Sequence, residues 1–300
     1  MSLNNTSIST NENLQSIKRY SGRVFSEREL VSIRELIARH PGSSRAELSR
    51  LTCKAVQWFK VNGGLKEMSC RVAMLRMQED GLIQLPAPRC KRPESRIIFT
   101  VNTAPEAEIE LPAHRLTPLQ LCPVVNKTQS RLWNEYIHRY HYLGHKALPG
   151  AQLRYFVMSG SRTLSLLSFS ASAWQVAARD NHIGWCHNQR KKNLHLVVNN
   201  SRFLILPWIK SKNLASMILA LAARQLPSQW EECYHYKPVL LETFVEKYRF
   251  KGTCYQAANW VHVGKTKGRG KLGPAGKQSV PIKDLWLYPL TKDFRSVLTQ

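Results

Sequence analysis

The chain has 300 residues, of which 44 are Lys or Arg and 20 are Asp or Glu, so its formal net charge is +24. Residues 1–110 hold 17 basic and 12 acidic residues, whereas residues 111–300 hold 27 and 8, which gives net charges of +5 and +19. Such an excess favours a polyanionic partner such as DNA or another nucleic acid, and the length suggests two domains. The longest apolar stretch, residues 215–223, is too short to span a membrane, and no export signal is recognisable. We therefore expect a cytoplasmic protein without membrane contact.

The seven cysteines are scattered and form no Cys-x-x-Cys pair, a pattern typical of reduced thiols and not of a zinc ribbon. The spacing closest to that of metal ligands is found in His182, Cys186, His187 and His195. Because no second cluster supports these four residues, we predict no metal site.

The N-terminal part of the chain predicts a disordered tail followed by a small helical domain. Residues 1–24 are rich in Asn, Ser and Thr and predict the tail. Residues 25–92 predict a winged helix-turn-helix-like DNA-binding domain, with helices over residues 26–39, 45–51, 54–60 and 65–80 and a strand over residues 82–85. In the last helix, the predicted apolar face is formed by Leu65, Met68, Val72 and Leu75. The residues predicted to contact DNA from the opposite side are Lys66, Arg71 and Arg76.

Residues 93–126 contain many prolines and predict a linker, with a stray strand over residues 96–101. Residues 127–300 predict a second domain that begins with a helix over residues 127–140. Its aromatic stripe is predicted to lie in the core and consists of Trp133, Tyr136, Ile137 and Tyr140. Strands are predicted over residues 152–158, 163–169, 194–198 and 202–206, before a helix over residues 213–225. Hairpins that are followed by helical crossovers predict an α+β class domain, with a mixed β-sheet flanked by helices.

Candidate site residues are concentrated in residues 238–270. An apolar strand over residues 239–241 is followed directly by Glu242, which predicts a carboxylate at an exposed strand end. Gly252 permits a tight turn before Tyr255 and a short strand over residues 260–263. The glycine-rich loop 264–276 follows, and its cations include Lys265, Lys267, Arg269 and Lys271. Because Trp260 adjoins these cations, stacking and charge are available together, and we predict that all five residues contact nucleic acid.

The order of elements resembles the GNAT acetyltransferases, whose two parallel central strands splay to admit acyl-CoA. In this chain the loop that would hold the pyrophosphate, residues 208–216, contains no glycine. The resemblance implies that the residues receiving phosphate would be Lys212, Asn213 and Ser216, by charge and by the helix N-terminus. The patterns RFLILP…KNLASMIL and LETF…GTCYQAANW are also similar to Mom-like DNA-modifying acyltransferases, and that resemblance places Asn213, Ser216, Tyr255 and Asn259 at site positions.

A more extensive resemblance runs from about residue 131 to residue 290. The runs LPGAQLRYFVMSGSRTLSLLSFSASAWQVAARDNHIGW, NLHLVVNNSRFLILPWIKSKNLAS, PVLLETFV and GTCYQAANWVHVGKTKGRG resemble the DruA family of the Druantia antiphage defence system. The N-terminal segment that ends in GLIQLP is similar to that family as well. The resemblance implies a cytoplasmic component of a bacterial defence module that also contains a large helicase-like partner.

Several functions are compatible with these patterns. The first is a nucleic-acid-binding subunit that recognises or processes phage DNA. The second is a GNAT-like acyltransferase that modifies a base or a protein amine, with Glu242 as general base through water and Tyr255 as acid, unless Glu242 is merely paired with Lys247 or Arg249. The third is a metal-dependent nuclease or transposase that binds Mg²⁺ through Asp180 and Glu242 with a histidine, although Asp180 beside Arg179 is more simply a surface pair. An open cleft between the parallel strands would favour a cofactor, and a gap filled by Trp208 and Trp260 would favour binding alone.

Overall fold

The structure is a computed structural model that describes residues 19–89, 97–268, 278 and 280–300. The chain divides into two compact units, residues 1–94 and residues 95–300. Most of the predicted disordered tail, residues 1–18, lies outside the described residues. The remainder of that tail is ordered, because β1 (Arg19–Tyr20) and β2 (Arg23–Val24) form an antiparallel hairpin.

Three helices follow in the first unit: α1 (Glu27–Arg39), α2 (Arg45–Ala55) and α3 (Glu67–Glu79). α1 begins at a capping box in which the Ser26 amide donates to the Glu29 carboxylate at 2.9 Å, and Ser44 caps α2 through the Glu47 amide at 3.1 Å. The separate helix predicted over residues 54–60 is absent. α2 continues to Ala55 instead, and Phe59 then pairs with Leu65 in an antiparallel bridge that encloses Gly63 and Gly64.

The apolar face predicted for α3 is wrong. Met68 is 64% exposed and Val72 is 38% exposed, and the buried face consists of Cys70, Ala73, Met74 and Met77. This second stripe also has helical spacing, and its small residues Cys70 and Ala73 permit close packing in the core of the unit. The strand predicted over residues 82–85 is extended coil, so the described part of this unit shows no wing strand after α3. A winged helix-turn-helix therefore stays a prediction.

The second unit is built around a mixed sheet of seven strands in the order β3-β4-β5-β6-β7-β9-β8. Its strands are β3 (Leu119–Pro123), β4 (Gln152–Ser159), β5 (Arg162–Ala171), β6 (Val197–Ile205), β7 (Leu240–Glu246), β8 (Val261–Lys265) and β9 (Lys283–Pro289). β6 and β7 run parallel, whereas every other neighbouring pair is antiparallel. The predicted α+β architecture with a mixed sheet is confirmed.

Helices cover the two faces of this sheet. They are α4 (Lys127–Tyr140), α5 (Ala177–Ile183), α6 (His187–Asn193), α7 (Leu214–Tyr234), α8 (Thr253–Ala257) and α9 (Phe294–Leu298), with 3-10 turns at Val101–Thr103, Ala113–Leu116 and Leu194–Leu196. The aromatic stripe predicted for α4 is in the core, where Trp133 and Tyr136 are nearly fully buried. Among the described residues, no helix is both long enough and apolar enough to cross a membrane.

The predicted linker belongs largely to the second unit. Its last part is β3, which pairs with β4 as an edge strand. Over the described residues 97–101 the predicted stray strand is not formed, and residues 101–103 make a 3-10 turn that Glu135 of α4 holds. The buried Glu135 carboxylate accepts hydrogen bonds from the Thr100 amide and, at 2.6 Å, from the Thr103 hydroxyl.

The contact of Glu135 with Thr100 and Thr103 should stabilise the fold in a pH-dependent way. Burial alone would raise the pKa of the Glu135 carboxyl, but the hydrogen bonds from Thr100 and Thr103 and the charge of Arg139 outweigh it, so its pKa is lowered. A lowered pKa stabilises the fold above the ordinary carboxyl pKa of about 4.3, and this contribution is lost as the pH falls through the native value. We expect Glu135→Gln to reduce the free energy of unfolding by about 1–2 kcal/mol at neutral pH and by less below about pH 4, measured by urea unfolding. Glu232→Gln, at an exposed position, is the control and should leave the free energy of unfolding nearly unchanged.

The second unit differs from the predicted elements in three further ways. The two strands predicted around Asn199 and Asn200 are one strand, β6, because β5 and β7 pair with it on either side through both residues. α7 continues past Pro227 to Tyr234 and thereby buries Trp230 completely. β9, which the sequence patterns did not reveal, is inserted between β7 and β8.

Candidate binding cleft between the parallel strands

The two parallel strands part along their length and leave a cleft. β6 and β7 pair only from Val197–Leu240 to Asn200–Thr243, after which β6 follows β5 and β7 follows β9. The divergence begins at an irregularity in β6, where Arg202 and Asn200 pair with adjacent β5 residues and Ser201 is left over. The resulting cavity measures about 450 Å³ and is lined by residues 140–143, 200–205, 243–245 and 250–255, together with Ala215.

The two tryptophans that the sequence offered as a plug do not line this cavity. Trp208 packs edge-on against Tyr140 with ring centroids 5.2 Å apart, and Trp260 packs against Tyr255 at 5.1 Å. Trp260 is only 4% exposed, so its predicted role in stacking on a nucleic-acid base is wrong for this conformation. The cleft between β6 and β7 is therefore open, and neither tryptophan fills it.

Three polar side chains meet at the inner end of the cleft. The Tyr255 hydroxyl donates to Asn200 Oδ1 at 2.8 Å and lies 3.4 Å from the Thr243 hydroxyl, which donates to the Asn200 carbonyl at 3.1 Å. Burial raises the pKa of Tyr255, so the phenol is neutral at pH 7 and is a proton donor. Asn200 and Thr243 were not predicted, because their relation to Tyr255 appears only when β6 and β7 are paired.

Glu242 lies on the opposite side of β7 from this cluster, and the predicted strand-end carboxylate is wrong. It is fully buried in mid-strand, where Oε2 accepts from Arg179 Nη1 at 2.9 Å and Oε1 accepts from the Ala173 amide at 3.1 Å. Neither Lys247 nor Arg249 is its partner. Glu242 therefore cannot act with Tyr255 as a base and acid pair in this arrangement.

Arg179 connects two carboxylates in the protein interior. It is fully buried, and besides Glu242 it binds Asp180 Oδ1 through Nε at 3.0 Å and Nη2 at 2.9 Å. Asp180 also accepts from Arg190 Nη1 at 3.0 Å and from the Trp185 indole at 3.0 Å. The predicted surface pair of Arg179 and Asp180 is thus a buried ion-pair network, and both carboxylates proposed for a nuclease metal are neutralised by arginines. Within the ranges that the structure describes, no three His, Cys, Asp or Glu residues form a metal-binding group.

The outer part of the cleft is cationic. Burial, together with the charges of Arg202 and Lys283, lowers the pKa of His141 to about 4. The Leu143 amide donates to His141 Nδ1 at 3.2 Å, which places the proton of the neutral ring on Nε2. His141 is therefore a hydrogen-bond donor beside the positive charges of Arg202 and Lys283, a set suited to an anionic group.

The predicted phosphate loop is held by a neighbouring segment. The Ile109 amide donates to the Trp208 carbonyl at 2.8 Å, the Lys210 amide donates to the Ile109 carbonyl at 2.8 Å, and Lys210 forms an ion pair with Glu108. The three residues predicted to bind a cofactor, Lys212, Asn213 and Ser216, lie at the start of α7 beside Ala215, outside the cavity lining itself. Lys212 and Asn213 are exposed, and the Ser216 hydroxyl donates to the Asn213 carbonyl at 3.0 Å.

The predicted nucleic-acid contacts fall on different elements. In the first unit, Lys66 precedes α3, Arg76 is exposed, and Arg71 is bound to Glu67 at 2.6 Å. In the second unit, Lys265 ends β8 and Lys267 follows it, and both side chains are exposed. Arg269 and Lys271 lie outside the described residues.

The parallel pair β6–β7 inside an otherwise antiparallel sheet, with α7 crossing between the two strands and an open cleft where they part, defines a GNAT-like α+β domain. The sequence matches the family described as "Druantia protein DruA" over residues 77–280, which is more than half of the chain. The chain therefore belongs to the DruA family, and it is a component of the Druantia antiphage defence system, which includes other proteins. No curated protein matches the sequence.

Solved structures with a similar fold are acetyltransferases. A spermidine N-acetyltransferase SpeG chimera from Vibrio cholerae and hSSAT is 11% identical, with coverage of 59% of this chain and 98% of that one and a TM-score of 0.38. A Bacillus subtilis acetyltransferase in complex with CoA is 8% identical, with coverage of 58% and 98% and a TM-score of 0.33. An N-acetyltransferase from Staphylococcus aureus Mu50 is 11% identical, with coverage of 47% and 68% and a TM-score of 0.30. The family assignment rests on the sequence match over residues 77–280 and not on these structures.

Proposed function

We propose that this chain is a nucleic-acid-binding component of its Druantia system, which recognises or processes phage DNA in the cytoplasm together with partner proteins, including a helicase-like subunit. The observation that carries the proposal is the charge of residues 111–300, with 27 basic and 8 acidic residues. Arg179 and Arg190 neutralise Asp180 and Glu242 internally. Without these four residues, the region 111–300 retains 25 basic and 6 acidic side chains. A surface with this excess of positive charge attracts a polyanion.

The salt dependence of binding tests this proposal. Each phosphate that is neutralised releases counterions, so the logarithm of the binding constant should fall linearly with the logarithm of the salt concentration. For the full chain and a labelled oligonucleotide, we expect a slope of about −3 or steeper in fluorescence anisotropy titrations. Absence of binding at low salt, or a slope near zero, would contradict the proposal. Duplex and single-stranded DNA and RNA are compared in parallel to identify the preferred form.

A second candidate function is acyl transfer to a base or a protein amine, and it is favoured by the open cleft between β6 and β7. An acyl-CoA thioester would place its acyl end in the cavity near Tyr255 and its phosphates near Lys212, Asn213 and Ser216 at the start of α7. The accessible N-terminus of α7 fits the phosphates of acyl-CoA. The loop before it fits them less well, because it lacks glycine and is held by residues 108–110. Bound cofactor would supply the activated acyl group, and Tyr255 would donate a proton to the departing thiolate.

A thermal shift experiment decides whether the cleft takes this cofactor. A ligand at about 100 times its dissociation constant adds roughly 2.7 kcal/mol of stability, so acetyl-CoA should raise the melting temperature measurably. ATP at equal concentration and ionic strength controls for non-specific anion binding. Lys212→Ala should reduce the shift, whereas Lys237→Ala, which removes an exposed lysine near Glu231, should leave it unchanged. If several acyl-CoA thioesters raise the melting temperature no more than ATP does, the acyltransferase function is excluded and nucleic-acid binding is the function that remains.

A further inference from the structure

A short turn at the mouth of the cleft alternates cations and aromatic rings. The aromatic turn consists of Lys247, Tyr248, Arg249, Phe250 and Lys251, and it connects the end of β7 to Gly252 and α8. The turn is fixed by hydrogen bonds from the Arg249 and Phe250 amides to the Glu246 carbonyl at 3.0 and 2.9 Å. All five side chains are exposed. The backbone therefore holds the rings and charges outward on a defined scaffold.

The exposure of these rings is unfavourable unless something covers them. Tyr248 is 81% exposed and Phe250 is 47% exposed, although aromatic rings gain free energy when they leave water. The rings are therefore available to an external partner with flat, apolar faces.

The turn is continuous with the cleft wall through Tyr142. The ring of Tyr142 meets that of Phe250 at 5.3 Å in an edge-to-face arrangement, and the Arg249 guanidinium lies over the Tyr142 ring at 4.8 Å. Tyr142 and Phe250 both line the cavity. Tyr142 is itself covered, since its ring stacks on His141 at 4.9 Å and carries Arg249, so it anchors the turn at the opening. The rings left exposed for a nucleobase to stack on are those of Tyr248 and Phe250.

Positive charge lies beside these planar groups. Lys247 lies close to Lys265 of β8, and the proximity of the Lys247 ammonium lowers the pKa of Lys265. Asp284, the residue paired with Lys265 in β9, offsets this only in part. Two like charges held together at the surface attract an anion, and phosphates between stacked bases meet that requirement.

We propose that the aromatic turn, backed by Tyr142, forms a binding surface for single-stranded nucleic acid, on which bases stack against Tyr248 and Phe250 while Lys247 and Lys265 hold the backbone phosphates. This deepens the proposed function and depends on it. A single strand is specified because stacking needs exposed base faces, which a duplex keeps inside its own stack. A five-residue turn is also neither the helix nor the two-stranded ribbon that reads a major groove.

Paired variants test the surface with the full chain and oligothymidylate or oligouridylate of about 16 nucleotides. Tyr248→Ala with Phe250→Ala should weaken single-strand binding by at least about tenfold without changing the salt slope, because stacking involves no counterions. Lys247→Ala with Lys265→Ala should instead reduce the slope by about 1.4. Phe99→Ala is the matched control, since Phe99 is also exposed and carries an arginine, Arg139, over its ring. Duplex binding should change less than twofold in the aromatic variant.

The outcomes separate this inference from the proposed function. If the wild-type chain binds no nucleic acid, the proposed function itself fails. The second outcome is that the wild type binds single strands with a steep salt slope and the aromatic variant binds them equally well. In that case the aromatic turn is excluded as the nucleic-acid-binding surface, and it is covered by a protein partner instead. An equal loss on duplex and single strand would overturn the single-strand assignment. A loss on the DNA or the RNA polymer alone supports the proposal and identifies which of the two is bound.

Discussion

Arg179→Ala is expected to reduce the free energy of unfolding of the second unit by about 3–5 kcal/mol. The substitution leaves Glu242 fully buried with the Ala173 amide as its remaining partner, and the cost of an unpaired buried charge exceeds that of losing an ordinary contact. It also removes the arginine that connects β7 with α5 through Asp180. Seven of the eight tryptophans belong to residues 95–300, so tryptophan fluorescence during urea unfolding of the full chain reports chiefly on this unit.

A double variant distinguishes an uncompensated charge from a simple packing loss. Arg179→Met with Glu242→Gln removes both charges and should be more stable than Arg179→Met alone. In the single variant, burial raises the pKa of Glu242 without the opposing charge of Arg179, so protonation stabilises the fold. The stability deficit should therefore shrink as the pH falls below the raised native pKa and grow as the pH rises through it. Equal deficits in both variants at every pH would contradict this account.

The second large effect is expected in nucleic-acid binding. Changing the loop cations Lys265, Lys267, Arg269 and Lys271 together to Ala should make the salt slope smaller by up to about 3 or 4 units. Over a fourfold range of salt concentration this amounts to roughly two orders of magnitude in affinity. Lys265 and Lys267 are exposed at the end of β8, and the other two lie outside the described residues. The measurement is a series of anisotropy titrations at increasing salt.

A charge-matched variant is the control for this prediction. Lys127, Arg162, Lys237 and Lys292 changed to Ala remove the same formal charge from four other places in the second unit, which are α4, β5 and the segments before β7 and before α9. If both variants lose affinity equally, the effect comes from net charge and not from the loop. If the loop variant retains the wild-type affinity and slope, the loop faces solvent or a protein partner, and another surface accounts for the charge of +19.

Local patterns were sufficient where an element is specified by its own residues. The α4 stripe, the β4–β5 hairpin and the helix that follows β6 were all predicted, because periodicity and turn residues act over a few positions. The sequence also indicated a cationic second domain and the resemblance to the DruA family. It placed Tyr255 near a candidate site, but it did not show that Asn200 and Thr243 would surround the hydroxyl, since those residues are brought together by strand pairing.

Composition, periodicity and long motifs thus determined by themselves the mixed-sheet architecture, the basic character and the family of this chain. The tertiary structure decided the roles of individual residues. The sequence around Glu242 predicts an exposed acid. In the structure Arg179, 63 positions earlier in the chain, pairs with it, and Glu242 is a buried structural carboxylate. The buried face of α3 and the burial of Trp260 were likewise decided by packing partners that are distant in sequence. The physical reason is that burial and charge pairing depend on which elements meet in space, whereas local patterns report only what each segment can form.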